Sequence, residues 1–99
     1  MNKIEQAIEY ALKAHEGAKR KGSGLPYILH PLETAAIAAF FTTDEDVIAA
    51  AALHDVVEDA ARTAEELRAR FGGRVAALVM ADSEDKRRDR PAGDSRLSY

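Results

Sequence analysis

The stretch LHDVVED, residues 53–59, holds four ionisable side chains, His54, Asp55, Glu58 and Asp59, at the end of the wholly apolar run VIAAAAL (47–53). Buried charges are costly unless paired, protonated or bound to a metal. At roughly 100° per residue, His54 and Glu58 share one helix face, and Asp55 and Asp59 share another. All four fall within an arc of about 140°. An ordinary solvated helix end is one explanation, and two features count against it. Acidic groups at a helix C-terminus oppose the dipole, which prefers cations there. An adjacent His-Asp pair also offers one imidazole nitrogen and one carboxylate to a single cation, which would offset the crowded charge.

A metal held tightly needs more than two protein ligands. His30 is the third candidate, standing directly before Pro31 at the start of a neighbouring helix. A His, His, Asp set suits a first-row divalent ion, with water in the remaining positions. Such an ion lowers the pKa of bound water and polarises a phosphoryl oxygen. Glu58 and Asp59 then sit beside the metal rather than on it, placed to orient or deprotonate that water.

Five helices are expected to position these groups. Ile4, Ala7, Ile8, Ala11, Leu12 and His15 recur at helical spacing, predicting an amphipathic first helix that ends near Lys19 to Lys21. On that face His15 reads as a packed, hydrogen-bonded core histidine, and Lys19-Arg20-Lys21 as cations favoured by a helix C-terminus. GSGLPYIL (22–29) reads as a loop or short extended stretch. Pro31 opens a second helix to about Phe41, with His30 at or just before its N-cap. Thr43 to Asp46 has capping-box spacing and opens a third helix through about Glu58. Thr63 to Glu66 repeats that pattern for a short fourth helix ended by Phe71-Gly72-Gly73. Val75 to about Ala81 forms the fifth. Beyond it the charged sequence DSEDKRRDRPAGDSRLSY reads as a tail, ordered only if something holds it.

The composition agrees with an all-α domain. Ninety-nine residues suit one core, and twenty alanines with few β-branched runs favour helix. Residues 1–84 are assigned to the domain and 85–99 to the polar tail. A net charge of −3 argues against general nucleic-acid binding, although a local basic patch could still hold a small anion. The absence of cysteine excludes disulfides and thiolate chemistry. No apolar stretch approaches the ~20 residues of a membrane span, and the N-terminus lacks the apolar core of a signal peptide. A cytoplasmic protein without membrane attachment is expected.

AHEGAKRKGSGLPYILHPLETA, AALHDVVEDA and TAEELRARFGGRVAALV, in this order, resemble the HD-domain hydrolases of the RelA/SpoT type, including the small stand-alone alarmone hydrolases. The resemblance covers about residues 5 to 85. It implies an all-α, Mn²⁺-binding fold and an enzyme that removes the 3′-pyrophosphate from guanosine tetra- or pentaphosphate, leaving GDP or GTP. By position it implies that His30, His54 and Asp55 bind the metal and that Glu58 and Asp59 handle the attacking water. It further implies that Arg20, Lys21 and Tyr27 lie at the nucleotide.

The family's fourth metal ligand is an aspartate in an Ala-Asp-Lys/Arg-Leu-type motif on a later helix. Asp82, Asp85, Asp89 and Asp94 do not occupy that motif, and the sequence stops before that helix. Two readings follow: a pyrophosphohydrolase whose metal has three protein ligands plus water or is completed by a tail carboxylate or a second copy, and a degenerate or truncated module with an empty site that binds nucleotide or self-assembles without turnover. Apolar faces left uncovered favour a homo-oligomer.

Overall fold

The computed structural model describes residues 1–89, with side-chain surroundings through Asp82. The chain forms α1 (Lys3–Ala14), α2 (Leu29–Phe41), α3 (Glu45–Leu53), the single turn α4 (Val56–Asp59), α5 (Ala64–Phe71) and α6 (Gly73–Asp89). Among the described residues there is no strand; Lys19 and Pro26 form an isolated antiparallel bridge. The expected all-α class holds, with five helices of eight residues or more and α4 between them.

α3 is the centre of the bundle, packed against α1, α2 and α6, while α5 packs on α6. Its alanines Ala49 and Ala52 are fully enclosed, and their small side chains let neighbouring helices approach closely. Around them stand Leu53, Val56, Leu67, Val75 and Val79, each 0–1% exposed, with Tyr10 meeting Phe71 edge-on at 5.5 Å. At the N-terminus of α3, Lys3 of α1 pairs with Asp46 at 2.6 Å, and Arg74 of α6 pairs with Asp44 at 2.8 Å. The hydrogen bond from Arg74 holds the Asp44 carboxyl below its usual range, and that from Lys3 does the same for Asp46. These partly exposed pairs bring three helix ends together at the pole away from His54.

α2 and α3 are joined by only Thr42, Thr43 and Asp44, so they form an antiparallel hairpin. The start of α2 is thereby returned beside the end of α3. This topology carries His30 to His54 and Asp55.

Several expected boundaries move, each for a local reason. The first helix stops at Ala14 rather than near Lys19 to Lys21, because Gly17 turns the chain at a φ of 84°. Residues 18–27 then fold back on themselves, with Arg20 N donating to Leu25 O at 2.7 Å and Tyr27 N to Ala18 O at 2.9 Å. Arg20 and Lys21 therefore stand on a narrow loop and not at a helix C-terminus. α2 begins at Leu29, placing His30 and Pro31 within its first turn, where a missing N–H does no harm. The N-cap of α3 is Asp44, one residue later than the capping-box spacing suggests, with its carboxylate accepting from Asp46 N at 3.0 Å. The N-cap at Thr63 and the stop at Gly72 stand as expected.

The third helix is not continuous through Glu58. It ends at Leu53, His54 and Asp55 form a turn, and α4 carries Glu58 and Asp59. The His54 side chain turns back so that Nδ1 donates to Ala51 O at 2.7 Å. That carbonyl is the acceptor a further helical turn would use, so the side chain competes with the backbone ladder. α6 continues to Asp89, past the expected end at Ala81 and into the segment assigned to the tail. Residues 90–99 of that expected tail lie outside the described residues. No helix of the described residues is long and apolar enough to cross a membrane.

Candidate metal centre

Three potential ligand atoms converge where α2 begins and α3 ends. His54 Nε2 lies 2.9 Å from Asp55 Oδ2, His30 Nε2 lies 3.4 Å from the same oxygen, and the two Nε2 atoms are 3.3 Å apart. Two donors at about 2.1 Å from one ion stand about 3.0 Å apart at a right angle and about 3.4 Å apart at the tetrahedral angle. The three observed separations fall within or close to that interval. The residues thus fit a single divalent ion by spacing as well as by chemistry.

The protonation of His54 supports the same conclusion. Ala51 O can only accept, so Nδ1 carries a proton, and in the neutral ring Nε2 then directs its lone pair toward Asp55 and His30. A backbone carbonyl behind a ligand histidine fixes both tautomer and ring orientation. A lone pair facing a carboxylate oxygen at 2.9 Å is repulsive without a proton or a cation among the three atoms. The Asp55 side chain is 6% exposed, His54 12% and His30 28%, so the group is deep on the aspartate side and opens past His30. His30 is steadied from its own helix, where Thr34 Oγ1 donates to its carbonyl at 3.0 Å.

The remaining expected site residues surround this set. Glu58 is exposed on α4, one turn beyond Asp55. Asp59 is also exposed, and its Oδ2 accepts from Tyr27 Oη at 3.3 Å. Tyr27 donates a shorter bond, 2.6 Å, to Asp55 Oδ2. Burial and these two carboxylates push the phenol pKa far above its usual value, so the hydroxyl remains a donor. Arg20 pairs with Glu33 at 3.3 Å, which ties the loop to α2 one turn beyond His30. Lys21 is fully on the surface of the same loop.

Sequence reasoning did not find the link from Tyr27 to Asp55 and Asp59, nor the surroundings of His15. His15 is buried as expected, but its Nε2 has no hydrogen-bond partner among the described residues. Its ring lies 4.8 Å from that of Tyr27. Burial lowers its pKa, against the opposing pull of Asp55 and Asp59. The only advance signal was a histidine on an apolar helical face. Asp82, on α6, lines a groove of about 220 Å³ together with His54, Thr34 and Leu78, and stands outside the three-residue ligand group.

A family model described as HD domain matches residues 7–97. The chain belongs to the HD-domain family. Curated relatives of this HD domain include a guanosine-3′,5′-bis(diphosphate) 3′-pyrophosphohydrolase of Aquifex aeolicus, 49% identical over 76 residues that make up 77% of this chain and 11% of the relative. A protein of the same name from Vibrio cholerae is 47% identical over 77% of this chain and 11% of its own. A GTP pyrophosphokinase of Myxococcus xanthus is likewise 47% identical, over 77% of this chain and 10% of its own length. The HD domain here thus spans about a tenth of the length of these relatives. Among solved structures, a metazoan ortholog of SpoT, reported to hydrolyze ppGpp and to play a role in starvation responses, superposes with a TM-score of 0.75 at 35% identity. That match covers 81% of this chain and 47% of the other.

Proposed function

We propose that this HD domain is a metal-dependent phosphohydrolase that removes the 3′-pyrophosphate of guanosine tetra- or pentaphosphate to give GDP or GTP. The observation that carries this reading is the mutual approach of His30 Nε2, His54 Nε2 and Asp55 Oδ2 to 2.9–3.4 Å. The relatives named for this activity, and the structure reported to hydrolyze ppGpp, support the choice of substrate.

His30, His54 and Asp55 hold the ion, and Mn²⁺ or another first-row divalent metal suits two imidazoles and one carboxylate. When bound, the ion supplies Lewis acidity at the phosphoryl group and a more acidic water. Glu58 and Asp59, one turn beyond Asp55, orient the attacking water and accept its proton. The water oxygen bonds to the phosphorus next to the ribose as the bond from that phosphorus to the ribose 3′ oxygen breaks, and the 3′ oxygen leaves as a hydroxyl carrying the proton taken from the water. Arg20 and Lys21, on the loop before α2, receive the phosphate charges of the nucleotide. Arg20 is held for this by Glu33.

Beyond the nucleotide, we infer that a second copy of the chain is a partner, through the outer side of α2. Ile37, Phe40 and Phe41 are 58%, 87% and 84% exposed there, and charge is absent from this stretch. The same patch on two copies is self-complementary, as a two-fold contact requires.

The function is tested by measuring pyrophosphate release from guanosine tetraphosphate with the Mn²⁺-loaded protein. Release that is lost in Asp55→Ala and in Glu58→Ala is the expected result. Metal-loaded protein that binds the nucleotide without releasing pyrophosphate overturns the assignment and leaves a binding module.

A further inference from the structure

We propose that Tyr27 is a positioning residue, a clamp whose hydroxyl fastens the metal ligand Asp55 to Asp59 and so holds the ion-binding and water-handling carboxylates as one unit. The inference rests on the reading that His30, His54 and Asp55 take a divalent ion. It assigns the phenol to the protein's own carboxylates rather than to the nucleotide.

Four features of the structure converge on this role. Tyr27 Oη stands 2.6 Å from Asp55 Oδ2, the same oxygen that faces both histidine nitrogens. It also stands 3.3 Å from Asp59 Oδ2. A phenol has one proton to give, so the bond is shared unequally, short to Asp55 and longer, as its second branch, to Asp59. The backbone of Tyr27 is fixed on both sides, its N–H donating to Ala18 O at 2.9 Å and its carbonyl accepting from His30 N at 2.9 Å. The ring is flanked by His15, with centroids 4.8 Å apart, and by His30, at 5.7 Å.

His15 completes the device from behind. Buried in α1's C-terminal cap, it gives the ring of Tyr27 a rigid backing from the core. The loop of residues 18–27, the core and the ligand helix thereby meet at one aromatic ring. A carboxylate ligand oriented by such a partner binds its ion more tightly, because the productive rotamer is held in advance. Asp59 is exposed and would otherwise sample several rotamers, so the clamp also confines the group that receives the water's proton.

Tyr27→Phe keeps the ring between His15 and His30 and deletes only the hydroxyl. Mn²⁺ affinity, measured by titration calorimetry on protein shown to be folded by circular dichroism, is expected to fall about tenfold to hundredfold. With Mn²⁺ saturating, kcat for pyrophosphate release is expected to fall while KM for the nucleotide stays as in wild type. A raised KM with unchanged Mn²⁺ affinity overturns the clamp and gives the phenol to the substrate. Wild-type protein that binds no Mn²⁺ overturns the clamp and the proposed function together, whereas wild-type binding matched by Tyr27→Phe overturns the clamp alone. Asp59→Ala provides an independent arm should Tyr27→Phe fail to fold. It is expected to weaken Mn²⁺ binding by less than tenfold, because the shorter bond to Asp55 remains, and a loss as large as that of Asp55→Ala overturns the proposal.

Discussion

His30 and His54 face each other across 3.3 Å through their Nε2 atoms, although they lie on different helices and 24 residues apart. Since Nδ1 of His54 is committed to Ala51 O, the facing nitrogen has a lone pair and no proton of its own in the neutral ring. The approach needs a proton or a cation between the two nitrogens, and a divalent ion serves both of them and Asp55 at once. Mn²⁺ at a hundred times its dissociation constant is therefore expected to stabilise the fold by about 2.7 kcal/mol. For a domain of this size that raises Tm by about 10–20 °C. Thermal unfolding with and without EDTA checks this, and the shift is expected to vanish in His54→Ala. A shift of equal size in that variant places the ion elsewhere.

Under the proposed function, Glu58 is the residue that separates binding from chemistry. It is exposed on α4 and outside the three-atom ligand group. Glu58→Gln keeps the shape of the side chain and removes its basicity. The variant is expected to bind Mn²⁺ as wild type does while pyrophosphate release falls by about 10²–10⁴, the usual contribution of a positioned base. Equal loss of metal affinity would make Glu58 a ligand.

Much of this site was legible in the sequence because its residues are local. Four ionisable groups at the end of VIAAAAL could be placed near one helix end without knowing the fold, and His30 was marked by its position before Pro31. The hairpin of α2 and α3 then brought them together, as its short connection requires. The break after Leu53 was not legible, because no glycine or proline causes it. At the break the His54 ring takes Ala51 O, a side-chain contact that periodicity does not register. The early stop of α1 was overlooked for the opposite reason: Gly17 was present, but the cations after it resembled a continuing helix end. Tyr27 was marked for the nucleotide, and its link to Asp55 and Asp59 escaped because these partners lie 28 and 32 residues away.

His15 makes stability depend on pH in a defined direction. Burial lowers its pKa below that of an exposed histidine, despite the carboxylates of Asp55 and Asp59, while His30 and His54 add to the lowering. The unfolded chain then binds a proton that the folded chain resists, so stability falls as pH drops below about 6.5. The slope from this one group approaches about 1.4 kcal/mol per pH unit at most. Urea unfolding in EDTA between pH 7.5 and 5 is expected to show a shallower decline for His15→Gln than for wild type. Identical slopes would show that His15 takes up its proton equally in both states.

The outer side of α2 yields a prediction independent of the metal. Phe40 and Phe41 are among the most exposed large side chains of the described residues, at the last turn of a helix whose opposite side packs on α3. Two aromatics of this size in water have an unfavourable hydration that the proposed contact with a second copy would remove. Because they contribute little to the monomer core, Phe40→Ser with Phe41→Ser is expected to change Tm by less than about 2 °C, the effect of a surface substitution within ±0.5 kcal/mol. Sedimentation at increasing concentration is expected to show association of the wild-type chain and its loss in the double variant, with Mn²⁺ binding intact in both. A wild-type chain that stays monomeric at high concentration removes the second copy from its partners without touching the metal centre, since His30 stands at the other end of α2.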